Sequence, residues 1–184
     1  MLKYDYFSLI QDLSDNAIDA VRQACQKHAK SSRSISSLQS DCLKLLCNLE
    51  SALFSDFLPP LDRASIAEYA HTLYSLSECA LVYYLSKPHQ YSTPFTKPFD
   101  TDCLLLCDAL SSEISILSGI KKSSATPKLL DFREKKSKLL KSLCDSKLHL
   151  TLPSSPHLFA AQQALLFAIS DVFDALVIII LKNI

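Results

Sequence analysis

Seven cysteines, five histidines and nineteen carboxylates are the residues of this chain with chemistry to offer. The cysteines stand at 25, 42, 47, 79, 103, 107 and 144, an odd number with no Cys-x-x-C pair. That pattern argues against a disulfide framework or a zinc ribbon and points to a reduced, cytoplasmic setting. Cys103 and Cys107 are four apart and would be neighbours on a helix, as half of a metal site would be. Small apolar side chains filling a helical core account for the same spacing more simply. His28, His71, His89, His149 and His157 are read as scattered, in neither an H-x-x-x-H nor an E-x-x-H pair, so neither ferritin-like nor metalloprotease chemistry is expected. The serines lack a G-x-S-x-G elbow. The single glycine, Gly119, cannot build a Gly-rich phosphate loop or a dinucleotide fingerprint. With no nucleophile, base and oxyanion donor in one pattern, the chain is not expected to be an enzyme.

The elements that would position these residues are helical. The chain has 184 residues, 48% hydrophobic and 21% charged, enough for one globular domain with a real core. Its formal charge of +0 gives no electrostatic footprint of a nucleic-acid binder. Six segments carry apolar residues at helical spacing, and none alternates with the period of a strand. The first, from about Tyr4 to Ala29, presents Ile10, Leu13, Ala17, Val21 and Ala24. The second presents Ile35, Leu38, Cys42, Leu45, Leu49 and Leu53, with Ser34 as its cap and Pro59-Pro60 beyond its end. Asp62 is a natural cap for the third, which presents Ile66, Ala70, Leu73, Leu76, Ala80 and Tyr84. A proline-rich linker follows. The fourth segment, from about Asp100 to Ser118, carries Cys103, Leu106, Leu110, Ile114 and Leu117. The fifth, from about Pro127 to Leu148, carries Leu129, Phe132, Lys136, Leu139 and Leu143. The sixth, from about Pro156 to Leu181, carries Ala161, Leu165, Ala168, Val172, Leu176 and Ile179.

The two halves match. A shift of 93 residues carries the first stripe onto the fourth, and a shift of 94 carries the second onto the fifth and Pro59 onto Pro153. The expected architecture is all-α, six long helices arranged as two tandem three-helix bundle repeats. Repeat one spans 1–86, the linker 87–98 and repeat two 99–184, within one domain 1–184. Near the C-terminus, residues 175–181 are apolar on nearly every face. This uninterrupted run is shorter than the roughly 18 residues that cross a bilayer, so burial or a partner-facing, self-associating surface is expected. Residues 121–147 hold nine Lys or Arg against Asp131, Glu134 and Asp145, a local basic face suited to an acidic partner or peripheral membrane contact, or simply solvated.

The stretch from Phe57 to Ile66, with Pro60, Asp62 and Arg63 at its centre, resembles the F-x-x-P-x-D-R-x-D-I turn of PhoU-like phosphate-transport regulators. Helix order, duplication and size extend the likeness over most of the chain. The resemblance implies a cytoplasmic accessory protein that regulates phosphate transport through contact with a membrane phosphate permease. It also implies iron or zinc-type clusters held by carboxylates of the second, third, fifth and sixth helices. Here those positions have largely lost their acids. Gln39 and Leu43 stand on the second helix, Tyr74, Ser75 and Glu78 on the third, Arg133 and Ser137 on the fifth, and Phe167 and Asp171 on the sixth, with Asp174 a turn on. Glu78 and Asp171 are what remains of a metal site, too few for a cluster, so no cofactor is expected. A helical scaffold or adaptor without a link to phosphate is the alternative reading.

Overall fold

The computed structural model describes residues 5–26, 33–55, 62–87, 96–117 and 156–183, together with Glu134, Ser137 and Lys141. The protein is all-α, with no strand among the described residues. Five helices are defined: α1 (Tyr6–Cys25), α2 (Ile35–Ser55), α3 (Arg63–Ser86), α4 (Thr96–Leu117) and α5 (Pro156–Asn183). The sixth segment expected from the sequence is thus α5. The fifth segment lies outside the described residues, apart from Glu134, Ser137 and Lys141, which are helical and exposed.

Local chemistry sets the helix starts. Asp5 caps α1, its carboxylate accepting from the Ser8 amide at 3.1 Å. Ser34 Oγ accepts from the Ser37 amide at 3.1 Å and so caps α2. Asp62 caps α3, accepting from both the amide (3.0 Å) and the hydroxyl (2.6 Å) of Ser65. Helix α4 begins at Thr96, ahead of the expected start near Asp100 and inside the expected linker 87–98. Pro98 does not prevent this, because amides in a first turn have no intrahelical acceptor to lose.

Helices α1, α2 and α3 pack on one another pairwise, α4 lies on α1, and α5 makes the broadest interface of all, with α3; α4 and α5 touch more slightly. The core is one continuous cluster running through all five helices. The predicted stripes of α1 and α5 are buried throughout, as is that of α4 where described. Two positions differ. On α2 Leu46 is buried while Leu45 is only half-buried. On α3 Tyr83, not Tyr84, turns inward. The Tyr83 ring meets Phe99 edge-on at 5.3 Å, and its hydroxyl finds an acceptor inside, which a buried tyrosine requires. Lys182 near the end of α5 reaches Asp62 (3.2 Å) and Ser65 Oγ (2.9 Å), so α3 and α5 run antiparallel.

The apolar C-terminal run is mainly internal. Ala175, Leu176, Val177, Ile179 and Ile180 are buried, whereas Ile178 and Leu181 are exposed. The expectation that this region is too short to cross a membrane counted only uninterrupted apolar residues. The helix Pro156–Lys182 is long and apolar enough by composition, with a mean hydropathy of 2.5 in its best window. Half of that window is buried inside the protein, the pattern a bundle's core helix also produces.

Candidate functional site

Of the positions that the resemblance equates with metal ligands, Gln39, Tyr74, Glu78 and Asp171 lie along α3 and its seams with α2 and α5. Gln39 of α2 donates from Nε2 to the Tyr74 hydroxyl of α3 at 3.0 Å. Glu78 is the polar neighbour of Tyr74 one helical turn on, and this carboxylate raises the Tyr74 phenol above its usual range. Beside Glu78 lies Cys79, half-buried, hydrogen-bonded to Ser75 and close enough to feel the charges of both Glu78 and Asp171. Burial, and then those two carboxylates, raise the Cys79 thiol, which therefore stays protonated at neutral pH. Glu78 and Asp171 thus flank the seam between α3 and α5, both exposed. Leu43 and Phe167, at two further positions of the set, are 43% and 59% exposed. Arg133 lies outside the described residues; Ser137 is helical and exposed.

No group of three or more His, Cys, Asp or Glu side chains among the described residues is placed to hold a metal ion. The candidate face has two carboxylates, Glu78 and Asp171, on either side of the seam, and its neighbouring polar groups are an amide, a hydroxyl and a protonated thiol. Two carboxylates are fewer hard oxygen ligands than a multinuclear cluster takes. Contrary to the reading that no histidine forms a Glu-x-x-His pair, Glu68 and His71 stand at that spacing, the one used by carboxylate-bridged metal bundles. His71 Nε2 instead sits 3.0 Å from Glu50 of α2.

A second polar node lies where the C-terminal ends of α1 and α3 meet the start of α4, and it was not legible in the sequence. Lys87, which ends α3, reaches Asp100 of α4 at 2.9 and 3.0 Å and the Ala24 carbonyl of α1 at 2.5 Å. The Tyr83 hydroxyl donates to Asp100 at 2.7 Å, and the Lys87 ammonium sits 4.6 Å from the Tyr83 ring centre. Burial raises the Asp100 carboxyl, which Tyr83 and Lys87 pull partly back. Burial followed by the Asp100 charge pushes the Tyr83 phenol far up. Cys25 and Cys103 are neighbours beside this node, with Cys107 one turn from Cys103. The Cys25 contact and then burial hold Cys103 well above a free thiol, burial raises Cys107, and burial pushes Cys42 up to about 11. These are core thiols without nucleophilic character. The node fastens three helix ends and supplies no reacting group.

Between α1 and α2 an open cleft of about 520 Å³ is lined by Asp12, Asp15, Asp41, Arg33, Lys44 and Asn48, among others. Lys44 pairs with Asp41 at 2.9 Å, Asp15 accepts from Gln11 at 3.0 Å, and Arg33 donates to Asn16 at 3.2 Å. One ion pair and two hydrogen bonds to neutral amides thus tie parts of the cleft wall together. Compared with protein-family models and with curated proteins, the chain matches none of them.

Proposed function

We propose that this protein is a PhoU-like cytoplasmic accessory of phosphate transport, acting by contact with a membrane phosphate permease and without chemistry on a substrate. The observation that carries this reading is the duplicated pattern of buried positions. At a shift of 93, Tyr6, Ile10, Leu13, Ala17 and Val21 of α1 fall on Phe99, Cys103, Leu106, Leu110 and Ile114 of α4, all buried. At a shift of 92, Ile66, Tyr69, Leu73, Leu76 and Ala80 of α3 fall on Leu158, Ala161, Leu165, Ala168 and Val172 of α5, also all buried. Among the described residues the main contacts between the halves join counterparts, α1 to α4 and α3 to α5, as a pseudo-twofold between two three-helix repeats would arrange them. Asp62 of the resembling stretch caps α3, while residues 57–61 of that stretch lie outside the described residues. The depleted ligand positions make this a member that works with little or no bound metal, Glu78 and Asp171 being vestigial.

Regulation of this kind needs only a difference in affinity for two states of the transporter. The decisive experiment pairs a pull-down of the phosphate permease with phosphate uptake in a strain lacking this protein. Capture of the permease and altered uptake are expected; neither capture nor a change in uptake removes the proposal. The second reading, a helical adaptor without a link to phosphate, is favoured by the loss of acids at Gln39, Leu43, Tyr74 and Phe167, and would leave uptake unchanged.

A further inference from the structure

Three buried thiols meet where α1 packs on α4. Cys25 is the last residue of α1, and Cys103 and Cys107 lie one turn apart on α4. The bonds around Lys87 bring the first two together. Its ammonium binds the Ala24 carbonyl at 2.5 Å and the Asp100 carboxylate at 2.9 and 3.0 Å, so residues 24 and 100 converge on a single nitrogen. Cys25 follows the first of these residues, and Cys103 is one turn along α4 from the second. The Cys25 side chain is accordingly a polar neighbour of both the Asp100 carboxyl and the Cys103 thiol. Cys107 stands a turn further from the end of α1.

Position gives the two thiols different access. The helix stops at Cys25, and Gln26 beyond it is exposed, with extended backbone (φ −96°, ψ 132°). A last turn opens at a lower free-energy cost than a helix interior. Loosening this one breaks the Gln26–Arg22 backbone bond (2.8 Å) and the Lys87–Ala24 bond, beside a polar and part-exposed ion pair. Cys103, by contrast, is 1% exposed inside α4.

We propose that Cys25 and Cys103 are a redox pair that closes to a disulfide by exchange with a low-molecular-weight disulfide of the glutathione type, bolting α1 to α4. Once the last turn loosens, the Cys25 thiolate attacks one sulfur of the small disulfide. A mixed disulfide forms on Cys25, and the first glutathione leaves and takes up the proton that Cys25 gave. Cys103 then attacks the Cys25 sulfur, the Cys25–Cys103 bond forms, and the second glutathione leaves with the Cys103 proton. Two cysteine thiols are oxidised, one small disulfide is reduced to two thiols, and no net proton is exchanged. The Cys25 contact is the first cause that holds the Cys103 thiol up. In the mixed disulfide the Cys25 thiol no longer exists, so its capture eases ionisation of the resolving sulfur. The new bond joins residues 25 and 103, and closing so long a loop restricts the unfolded chain strongly. In a reducing compartment such a bond forms under oxidative load and is reversed by free thiols.

The test incubates the full, folded chain with glutathione disulfide at neutral pH, alkylates the remaining thiols and maps the peptides by mass spectrometry. A linked Cys25–Cys103 peptide is expected. The urea midpoint of the oxidised protein should lie above that of the reduced protein, and dithiothreitol should reverse both results. Cys103→Ala is expected to stop at a glutathione adduct on Cys25, and Cys25→Ala to give neither the link nor an adduct on Cys103. Helical circular dichroism checks that both variants fold; where one does not, the wild-type map and the urea shift decide. No link in the folded protein, a link made only after unfolding in urea, a link through Cys107, or adducts confined to Cys47, Cys79 and Cys144 overturn the proposal. So does an oxidised protein that unfolds in less urea than the reduced one, because the bond would then oppose the packing of α1 on α4.

Discussion

Two buried tyrosines show how one hydroxyl can serve or burden a core. Tyr83 Oη gives its proton to Asp100, whereas Tyr69 Oη, wholly buried, has no well-formed hydrogen bond. Its polar neighbour is Ser14, whose own hydroxyl proton goes to the Ile10 carbonyl at 2.7 Å. Tyr69→Phe should therefore cost nothing, or gain about 1 kcal/mol, in urea denaturation. Tyr83→Phe, which removes a hydrogen bond to a charged group, should cost about 2 kcal/mol. Lys87→Met is a stronger perturbation because it leaves a carboxylate 11% exposed without its cation. At neutral pH it should destabilise by about 3 kcal/mol. Burial already raises Asp100, so its ionisation opposes folding, and its contribution to stability falls as pH rises through the folded value. Without Lys87 that folded value moves higher. The deficit of the variant should therefore shrink on acidification, in unfolding curves measured from neutral to mildly acid pH; a constant deficit would contradict the assignment. The sequence could not announce this pair. Lys87 and Asp100 lie on opposite sides of a proline-rich linker, and only the convergence of three helix ends brings them together.

Helix starts and buried stripes were the most legible features, because each is fixed by local chemistry. Ser34 and Asp62 cap α2 and α3 as their types and places suggested. Ser34→Ala should lower stability by about 1 kcal/mol, and Ser34→Gly by only a few tenths, in thermal or chemical unfolding. Equal losses from both would place the role of Ser34 elsewhere. Less legible was the choice between adjacent residues. A period of 3.6 permits Tyr83 or Tyr84 to continue the α3 stripe, and the decision came from Phe99 and Asp100 across the interface. The candidate face was legible in part. Glu78 and Asp171 came from the family resemblance, and both border the seam beside Cys79. That Gln39 and Tyr74 had become hydrogen-bonding partners was not visible, since an amide and a phenol carry no spacing rule of their own.

The molecule as a whole depends on the pairing of α3 with α5, and charge probes of α5 measure that dependence. Ile180 is fully buried and Ile178 is exposed. Ile180→Asp should cost about 4 kcal/mol or more, enough to erase the cooperative unfolding transition, whereas Ile178→Asp should stay within about 1 kcal/mol of wild type. Circular dichroism with thermal melts separates the two, and a tolerated Ile180→Asp would refute the packing of this helix. The broad seam on α3 also has a consequence during synthesis. Its partner begins at Pro156, seventy residues after Ser86. At ribosomal elongation rates of about 5–20 residues per second, the nascent chain waits on the order of ten seconds with an oily stripe uncovered. Translation arrested in that interval should yield a chain that trigger-factor-type chaperones hold and release only once the last helix has emerged.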